Sequence, residues 1–161
     1  MAVALEKVTE GGLNTLKNLF ELAAYDLSEW SGANIGEGGQ YLQDLDCKSW
    51  YENPDYRLFF IRVEGLLAGC IVIRYLNDEN MYYLNHFFVL RKFRGKRIGK
   101  EAATMAFNLY EGKWRVSEFD WNVPAQLFWR KVIQGYTNDS FIESRRKDNK
   151  GPAQEFTNQK L

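Results

Sequence analysis

Ten residues near the middle of the chain, Arg91–Lys100, combine six basic side chains with two glycines and contain no acidic residue. They lie between an apolar run, Tyr82–Leu90, and an amphipathic stretch that starts at Ile98. A glycine-containing turn at the start of a helix presents unpaired main-chain N–H groups, and the helix dipole and nearby cations add positive potential. The segment therefore predicts a binding site for a phosphate or pyrophosphate, and so a phosphorylated cofactor.

Two common nucleotide-binding motifs do not account for this segment. A P-loop requires four residues between its first glycine and a Gly-Lys pair, which is then followed by Ser or Thr. Here three residues separate Gly95 from Gly99, and Glu101 follows Lys100. The Gly-x-Gly-x-x-Gly fingerprint of dinucleotide-binding turns does not occur in the sequence.

Groups that could transfer a proton lie on the apolar run before the basic turn. His86 is the only histidine of the chain, and an imidazole titrates near neutral pH. Strand alternation puts Tyr83 and Asn85 on the face of Phe87 and His86 on the other face, unless a bulge exchanges the faces. A lone histidine on an apolar strand is also at home in a core. The candidates for a general base therefore stay open: His86, Tyr83, Asn85, Asp26, Glu29 or a water chain.

Periodic apolar residues predict the helices that would position these groups. Spacings of three and four residues predict a first helix over Leu13–Leu27, followed by a glycine-rich loop over Gly32–Gly39. A second helix is predicted to carry Tyr41, Leu42 and Leu45 and to end before Asn53-Pro54. A third covers Ile98–Tyr110. A fourth starts after the N-cap residue Asn122 and stops near Gly135.

Runs rich in aromatic and β-branched residues predict the strands. The first three predicted strands form a meander: Tyr56–Val63, Leu66–Leu76 and Met81–Leu90. A fourth, Trp114–Trp121, follows the third helix, and two more, Tyr136–Ser144 and Ala153–Thr157, follow the fourth helix. This order of elements predicts a mixed α/β (α+β) fold, in a single domain over residues 1–161.

Composition narrows the functional class. The formal net charge is zero, but residues 1–60 carry ten acidic and four basic side chains, and residues 61–161 carry eleven and seventeen. The split predicts acidic and basic regions with different ligands. Two cysteines and one histidine make a structural zinc site improbable, so no metal is expected. The apolar runs are too short to cross a bilayer and the N-terminus lacks signal-peptide features, so the expected location is cytoplasmic.

The stretch from Phe87 to Gly99 resembles the acetyl-coenzyme A signature of the GNAT superfamily of N-acetyltransferases. That signature is Arg or Gln, two residues, Gly, one residue, then Gly or Ala; Arg94 and Gly99 match it. Arg97 replaces the first glycine, which implies a demanding backbone angle. Asn122-Val-Pro-Ala125, Phe128-Trp129 and Gly135-Tyr136 resemble the second segment of the family. The likeness covers about residues 55–140. It implies a twisted, mostly antiparallel sheet of about six to seven strands, flanked by about four helices.

The resemblance also implies acetyl-CoA as cofactor and a set of residues that hold it. The exposed main chain of the third predicted strand, at Phe87, Phe88 and Val89, would pair with the pantetheine arm, which Asn122 would contact. The pyrophosphate would be held by the main-chain N–H groups of Gly95, Lys96, Arg97, Ile98, Gly99 and Lys100. The side chains of Arg94 and Lys96 would add positive charge. The family often places a tyrosine acid on the last helix, and Trp129 occupies that place here.

The activity implied is transfer of an acetyl group to a primary amine that attacks the thioester directly. The region between the first two helices would line the acceptor site, where Asp26, Glu29 and Trp30 could hold a small cationic amine. Trp129 leaves open a non-catalytic acyl-CoA-binding sensor. The basic turn with Arg145–Lys147 leaves open nucleic-acid binding, which the neutral net charge disfavours. A homodimer through the C-terminal strands is possible in this superfamily.

Overall fold

The computed structural model describes residues 2–160. Its seven strands form one sheet in the order β1-β2-β3-β4-β5-β7-β6. All neighbouring strands are antiparallel except β4 and β5, which are parallel. The strands are β1 Val3–Lys7, β2 Tyr56–Val63, β3 Leu66–Leu76, β4 Met81–Val89, β5 Lys113–Ser117, β6 Ile142–Arg145 and β7 Pro152–Thr157. The mostly antiparallel sheet confirms the predicted fold class.

Four helices cover the two faces of the sheet: α1 Leu13–Ser31, α2 Cys47–Glu52, α3 Ile98–Leu109 and α4 Val123–Thr137. The α1/α2 face buries Leu16 and Phe20 against Val72 of the sheet. The α3/α4 face buries Phe107 and Ile133 in the larger core. The periodic apolar residues of each helix therefore meet one face of the sheet. Among residues 2–160 there is no helix with the length and hydropathy to span a bilayer.

The second helix lies later in the chain than predicted. Residues Tyr41 and Leu42 are not helical, because their amides donate to the carboxylate of Glu21 at 2.6 and 2.7 Å and hold the segment against α1. Leu45 also precedes the helix. The helix starts after Asp46, whose side chain accepts from the amide of Ser49 at 3.1 Å. A tertiary contact from a distant carboxylate overrides the local apolar spacing here.

Three of the strands also differ from expectation. The first strand, β1, was not predicted; it is five residues long and pairs with β2 at the edge of the sheet. The strand predicted over Trp114–Trp121 stops at Ser117. The strand predicted over Tyr136–Ser144 starts only at Ile142, because α4 continues to Thr137.

Strands β4 and β5 diverge soon after they meet. Their paired residues are Tyr82 with Trp114 and Tyr83 with Arg115. Within residues 2–160, the part of β4 after Tyr83 has no strand partner on the β5 side, so its main-chain groups there face a gap between the strands. We call this gap the splay; it leaves exposed the main chain of β4 that the sequence resemblance implies would pair with a cofactor.

A β-bulge in β4 resets the side-chain alternation. Val72 of β3 pairs with His86 and Ile73 pairs with Leu84, so Asn85 is the extra residue. Phe87 and Leu84 therefore share the α3/α4 face. Tyr83, directly before Leu84, points to the α1/α2 face, as His86 does. Simple alternation was wrong for Tyr83, which lies opposite Phe87 because of the bulge.

Candidate active site

The turn before α3 presents a row of free main-chain amides. The N–H groups of Gly95, Lys96, Arg97, Ile98, Gly99 and Lys100 donate to no protein acceptor within residues 2–160. The first amide of the helix that has a partner is that of Glu101, which donates to the carbonyl of Arg97 at 3.0 Å. Six adjacent donors at a helix N-terminus are a geometry that can bind an anion, and the anion site at this turn stays a prediction.

Backbone geometry and close packing shape this row of amides from Gly95 to Lys100, which we call the cradle. Gly95 has φ of 75° and Arg97 has φ of 63°, so both lie in the left-handed region. Left-handed residues two positions apart are compatible with the alternating backbone of an anion-binding nest. A Cβ at Gly99 would lie 3.1 Å from the ring of Phe128, so glycine lets α3 pack against α4. The demanding angle expected at Arg97 is present.

Arg94 braces the turn from behind. Its Nε donates to the carbonyl of Val89 at 2.9 Å, and its NH2 group donates to Asp26 at 2.7 Å. Arg91 contacts the same carboxylate at 2.6 Å. Burial alone would raise the pKa of Asp26, but hydrogen bonds from Arg94 and Arg91 lower it below the ordinary value. Asp26 thus ties α1 to the cradle, and Arg94 is engaged within the protein rather than free for a phosphate.

The other two residues expected to hold an acceptor also lie on α1. Glu29 and Trp30 belong to its last turns, not to a loop after it. Both are exposed, with half of the Trp30 surface open to solvent. Of the two carboxylates expected at the acceptor site, only that of Asp26 forms ion pairs among the described residues; Glu29 forms none.

The side chains of the predicted cofactor strand divide between the two faces. Phe87 packs in the larger core against Trp129, with ring centroids 4.9 Å apart, while Phe88 lies under the guanidinium of Arg94 on the α1/α2 face. Val89 is buried. Trp129 is 6% exposed, so its ring belongs to the core and not to a cleft wall. Asn122 caps α4 by accepting from the amide of Ala125 at 3.2 Å.

His86 lies between aromatic rings at the boundary of α1 and α2. Its ring centroid is 4.8 Å from that of Phe20 and 5.3 Å from that of Trp50. The residue still reaches solvent. Desolvation by the surrounding rings lowers the pKa of His86 below its ordinary 6.5. The imidazole is therefore neutral at pH 7, and the lowered pKa also makes it a weak proton acceptor.

Tyr83 marks the point where β4 and β5 part. Its hydroxyl lies 2.6 Å from the hydroxyl of Ser117, at the end of β5. The pair forms one wall of a cleft of about 500 Å³ on the α1/α2 face of the sheet. The cleft is also bordered by the β6–β7 loop. A second, open polar depression of similar size lies at α2, around Asp46 and Glu52.

Sequence reasoning missed a buried carboxyl near the splay. Glu118 follows β5 and is 4% exposed, and burial raises its pKa to about 7. The amide nitrogen of Gln154 donates to one of its oxygens at 3.0 Å. Alternation could have found it, because Trp114, Val116 and Glu118 share one face of the strand. The part of the chain that the structure describes has no cluster of three or more metal-ligating side chains.

Comparison with known proteins places these features in a family. A family model described as "Acetyltransferase (GNAT) family" matches residues 21–136. No curated protein gives a significant sequence match. An acetyltransferase from Thermus thermophilus superposes with a TM-score of 0.74 at 15% identity, covering 98% of this chain and 97% of that one.

Two further solved structures share the fold at low sequence identity. The PaiA N-acetyltransferase from Thermoplasma acidophilum, in complex with coenzyme A, has a TM-score of 0.63 at 16% identity, covering 98% and 99% of the two chains. A spermidine N-acetyltransferase chimera from Vibrio cholerae and hSSAT has a TM-score of 0.66 at 11% identity, covering 98% and 96%.

Proposed function

Because the chain belongs to the acetyltransferase (GNAT) family, whose members use acetyl-CoA, we propose that it transfers an acetyl group from acetyl-CoA to the primary amine of a small molecule. The amine enters as a cationic ammonium group. The single observation that carries this proposal is the row of six unpartnered amides at the start of α3, beside the splay. One solved relative is a complex with coenzyme A and another is a spermidine N-acetyltransferase, which supports coenzyme A as the ligand and an amine nitrogen as the acetylated group.

The residues present fit this cofactor. The amides of Gly95–Lys100 would hold the pyrophosphate, with the side chains of Lys96 and Lys100 adding positive charge at the surface. The unpaired edge of β4 at Phe87–Val89 would pair with the pantetheine arm. When bound, acetyl-CoA supplies an activated acetyl thioester. Asn122 would contact the pantetheine side, although its side chain also caps α4.

Proton transfer is assigned to groups on the α1/α2 face. An alkyl ammonium has a pKa of about 10.4, so the acceptor must lose a proton before it attacks. His86 and a water chain to solvent are the candidate bases, since the lowered pKa of His86 makes it a weak proton acceptor. Asn85, at the bulge, would orient the acceptor. Tyr83 is the hydroxyl at the splay and is the candidate acid for the departing thiolate. This role matters because Trp129, where the family often has its acid, is buried and has no acidic proton.

Calorimetric titration with coenzyme A tests the cradle. Gly99→Pro removes one amide donor and adds a side chain that meets Phe128, whereas Gly99→Ala adds only the side chain. We expect Gly99→Pro to weaken binding about 10-fold or more relative to Gly99→Ala, as loss of a charge-assisted hydrogen bond predicts. Equal affinities in the two variants would contradict the proposal.

Buried Trp129 favours one other function, a sensor that binds acyl-CoA without turnover. The two functions separate in one assay, release of free thiol from acetyl-CoA over a panel of amines. Turnover on any amine excludes the sensor. Tight binding with no turnover on the whole panel would favour it.

The assembly state is part of the same proposal. β6 forms one outer edge of the sheet, and Ile142 on that strand is 72% exposed. Pairing of this edge with a second copy would form the homodimer. Sedimentation of the wild type and of Ile142→Lys tests it, since a monomer at all concentrations would rule the dimer out.

A further inference from the structure

The cleft beside the Tyr83–Ser117 pair has an uneven set of charges. Its wall carries five basic and three acidic side chains: Arg74, Arg115, Arg145, Arg146 and Lys147, with Glu79, Asp148 and Glu155. A cleft built for a polycationic acceptor would have the opposite balance. The charges therefore bear on what the acceptor carries besides its amine.

Most of these charges are already neutralised within the protein. Arg115 holds Glu79 and Glu155, each at 2.8 Å, and Lys147 adds a contact to Glu79 at 3.0 Å. Both oxygens of Glu79 are thus occupied by cations. The carboxylates at this end of the cleft are engaged and are poor partners for an ammonium group.

The remaining acid is also paired. Arg146 contacts Asp148 at 2.9 Å, and Arg145 contacts Asp120, outside the cleft, at 2.7 Å. Because Arg145 is neutralised by Asp120, which lies outside the cleft, the cleft itself has four remaining cations and three carboxylates. The cation in excess is Arg74, which makes no ion pair within residues 2–160.

The position of Arg74 fixes how it could contact an acceptor. It is exposed on β3 and pairs in register with Tyr83 on β4, so both side chains lie on the same face. The ring of Tyr56 lies under its guanidinium at 5.5 Å, which limits where the side chain can point. Arg74 on β3 and Ser117 on β5 lie on opposite sides of β4, so at least two strand spacings, ~10 Å, separate their main chains.

From this arrangement we infer that the acceptor of the proposed acetyl transfer carries one anionic group, which Arg74 binds while the amine lies at the Tyr83–Ser117 end. The inference rests on the proposed function and narrows its acceptor to amines with a carboxylate or phosphate several bonds away. An amino acid or short peptide of this kind fits; a polyamine does not, because it would set a second ammonium against Arg74.

A matched set of acceptors tests the inference. The set is an ω-amino acid, its carboxamide, the diamine of the same length and the corresponding aminoalkyl phosphate. Thiol release gives kcat/KM for each, and calorimetry on the protein saturated with coenzyme A gives binding apart from turnover. We expect the two acids to exceed the amide and the diamine by about 10-fold or more in both readouts. Comparison of the carboxylate with the phosphate shows which anion fits.

Variants at the exposed Arg74 complete the test. Arg74→Gln should lower kcat/KM for the acids about 10-fold and leave the carboxamide unchanged, and Arg74→Glu should shift preference to the diamine. Arg62→Gln, on β2 and paired with Glu6, is the matched control and should behave as wild type. Turnover that favours the diamine, or that ignores Arg74, overturns this inference alone. No turnover on any amine overturns the proposed function as well.

Discussion

Glu118→Gln is expected to stabilise the protein at alkaline pH. Glu118 and Gln154 are 4% and 0% exposed and share one hydrogen bond of 3.0 Å. Within residues 2–160, the second carboxylate oxygen of Glu118 and the amide oxygen of Gln154 have no hydrogen-bond partner. Two acceptors without a donor are costly when buried. A proton on Glu118 would supply the donor, and the acid and the amide would then form two parallel hydrogen bonds.

The pH dependence follows from the pKa of Glu118. Burial raises this pKa from 4.5 to about 7 in the folded protein. Between pH 4.5 and about pH 7, the folded protein holds a proton on Glu118 that the unfolded chain has released. The free energy of unfolding therefore falls as pH rises through this range. The stabilisation is complete below pH 4.5 and lost above pH 7. A shift of this size corresponds to about 3 kcal/mol.

Glutamine imitates the protonated acid at every pH. Its amide can donate to Gln154 and accept from it, so the variant keeps both hydrogen bonds. We expect wild type and Glu118→Gln to have similar stability at pH 4.5, and the variant to be more stable by about 3 kcal/mol at pH 8. Urea denaturation followed by tryptophan fluorescence measures both proteins across this range.

The informative quantity is the difference between the free energies of unfolding of wild type and Glu118→Gln at each pH. The pKa of His86 is lowered by desolvation, so its contribution to stability is lost as pH falls, opposite to that of Glu118. Subtracting the curves removes this and other shared contributions. Glu37→Gln, at an exposed position, is the control and should give a flat difference. A flat difference for Glu118→Gln, or a variant less stable at pH 8, would refute the reasoning.

Three further substitutions have defined outcomes. Arg97→Gly should raise the free energy of unfolding by about 1 kcal/mol in urea titration, because glycine accepts φ of 63° without strain; a loss of stability would count against the strained angle. Gly69→Ala should destabilise by about 2 kcal/mol or more, since its Cβ would lie 2.0 Å from the carbonyl oxygen of Phe88; Gly11→Ala, in open space, is its control. Tyr83→Phe should lower kcat about 100-fold without changing the Kd for coenzyme A, and an unchanged kcat would remove Tyr83 as the acid.

Local sequence signals predicted most of the fold but not its exceptions. The bounds of β2 and β3 match their apolar runs, since a turn at Glu64-Gly65 with φ of 50° and 80° separates them cleanly. Gly32, at φ of 74°, likewise ends α1. The errors arose where distant residues decide. The amides of Tyr41 and Leu42 bind Glu21, twenty or so residues earlier, and no local pattern records that contact.

The cradle was predictable because main-chain amides do not depend on side-chain partners. Glycines, a helix start and a lack of acidic residues between Arg91 and Lys100 are all visible in the sequence. The acceptor side was not predictable in this way. The bulge at Asn85 moves Tyr83 to the face opposite Phe87, and periodicity alone cannot reveal one extra residue.

Charge recognition depends on which ions lack a partner inside the protein. Asp26 suggested a cationic acceptor from sequence, yet it holds Arg91 and Arg94 and has little negative charge left to offer. Counting cleft residues alone would err in the same way, because Arg115 is neutralised by two carboxylates. After internal pairs are removed, Arg74 remains, on the strand next to Tyr83. Residual charge, rather than composition, is therefore the observation that supports our inference of an acceptor with an anionic end.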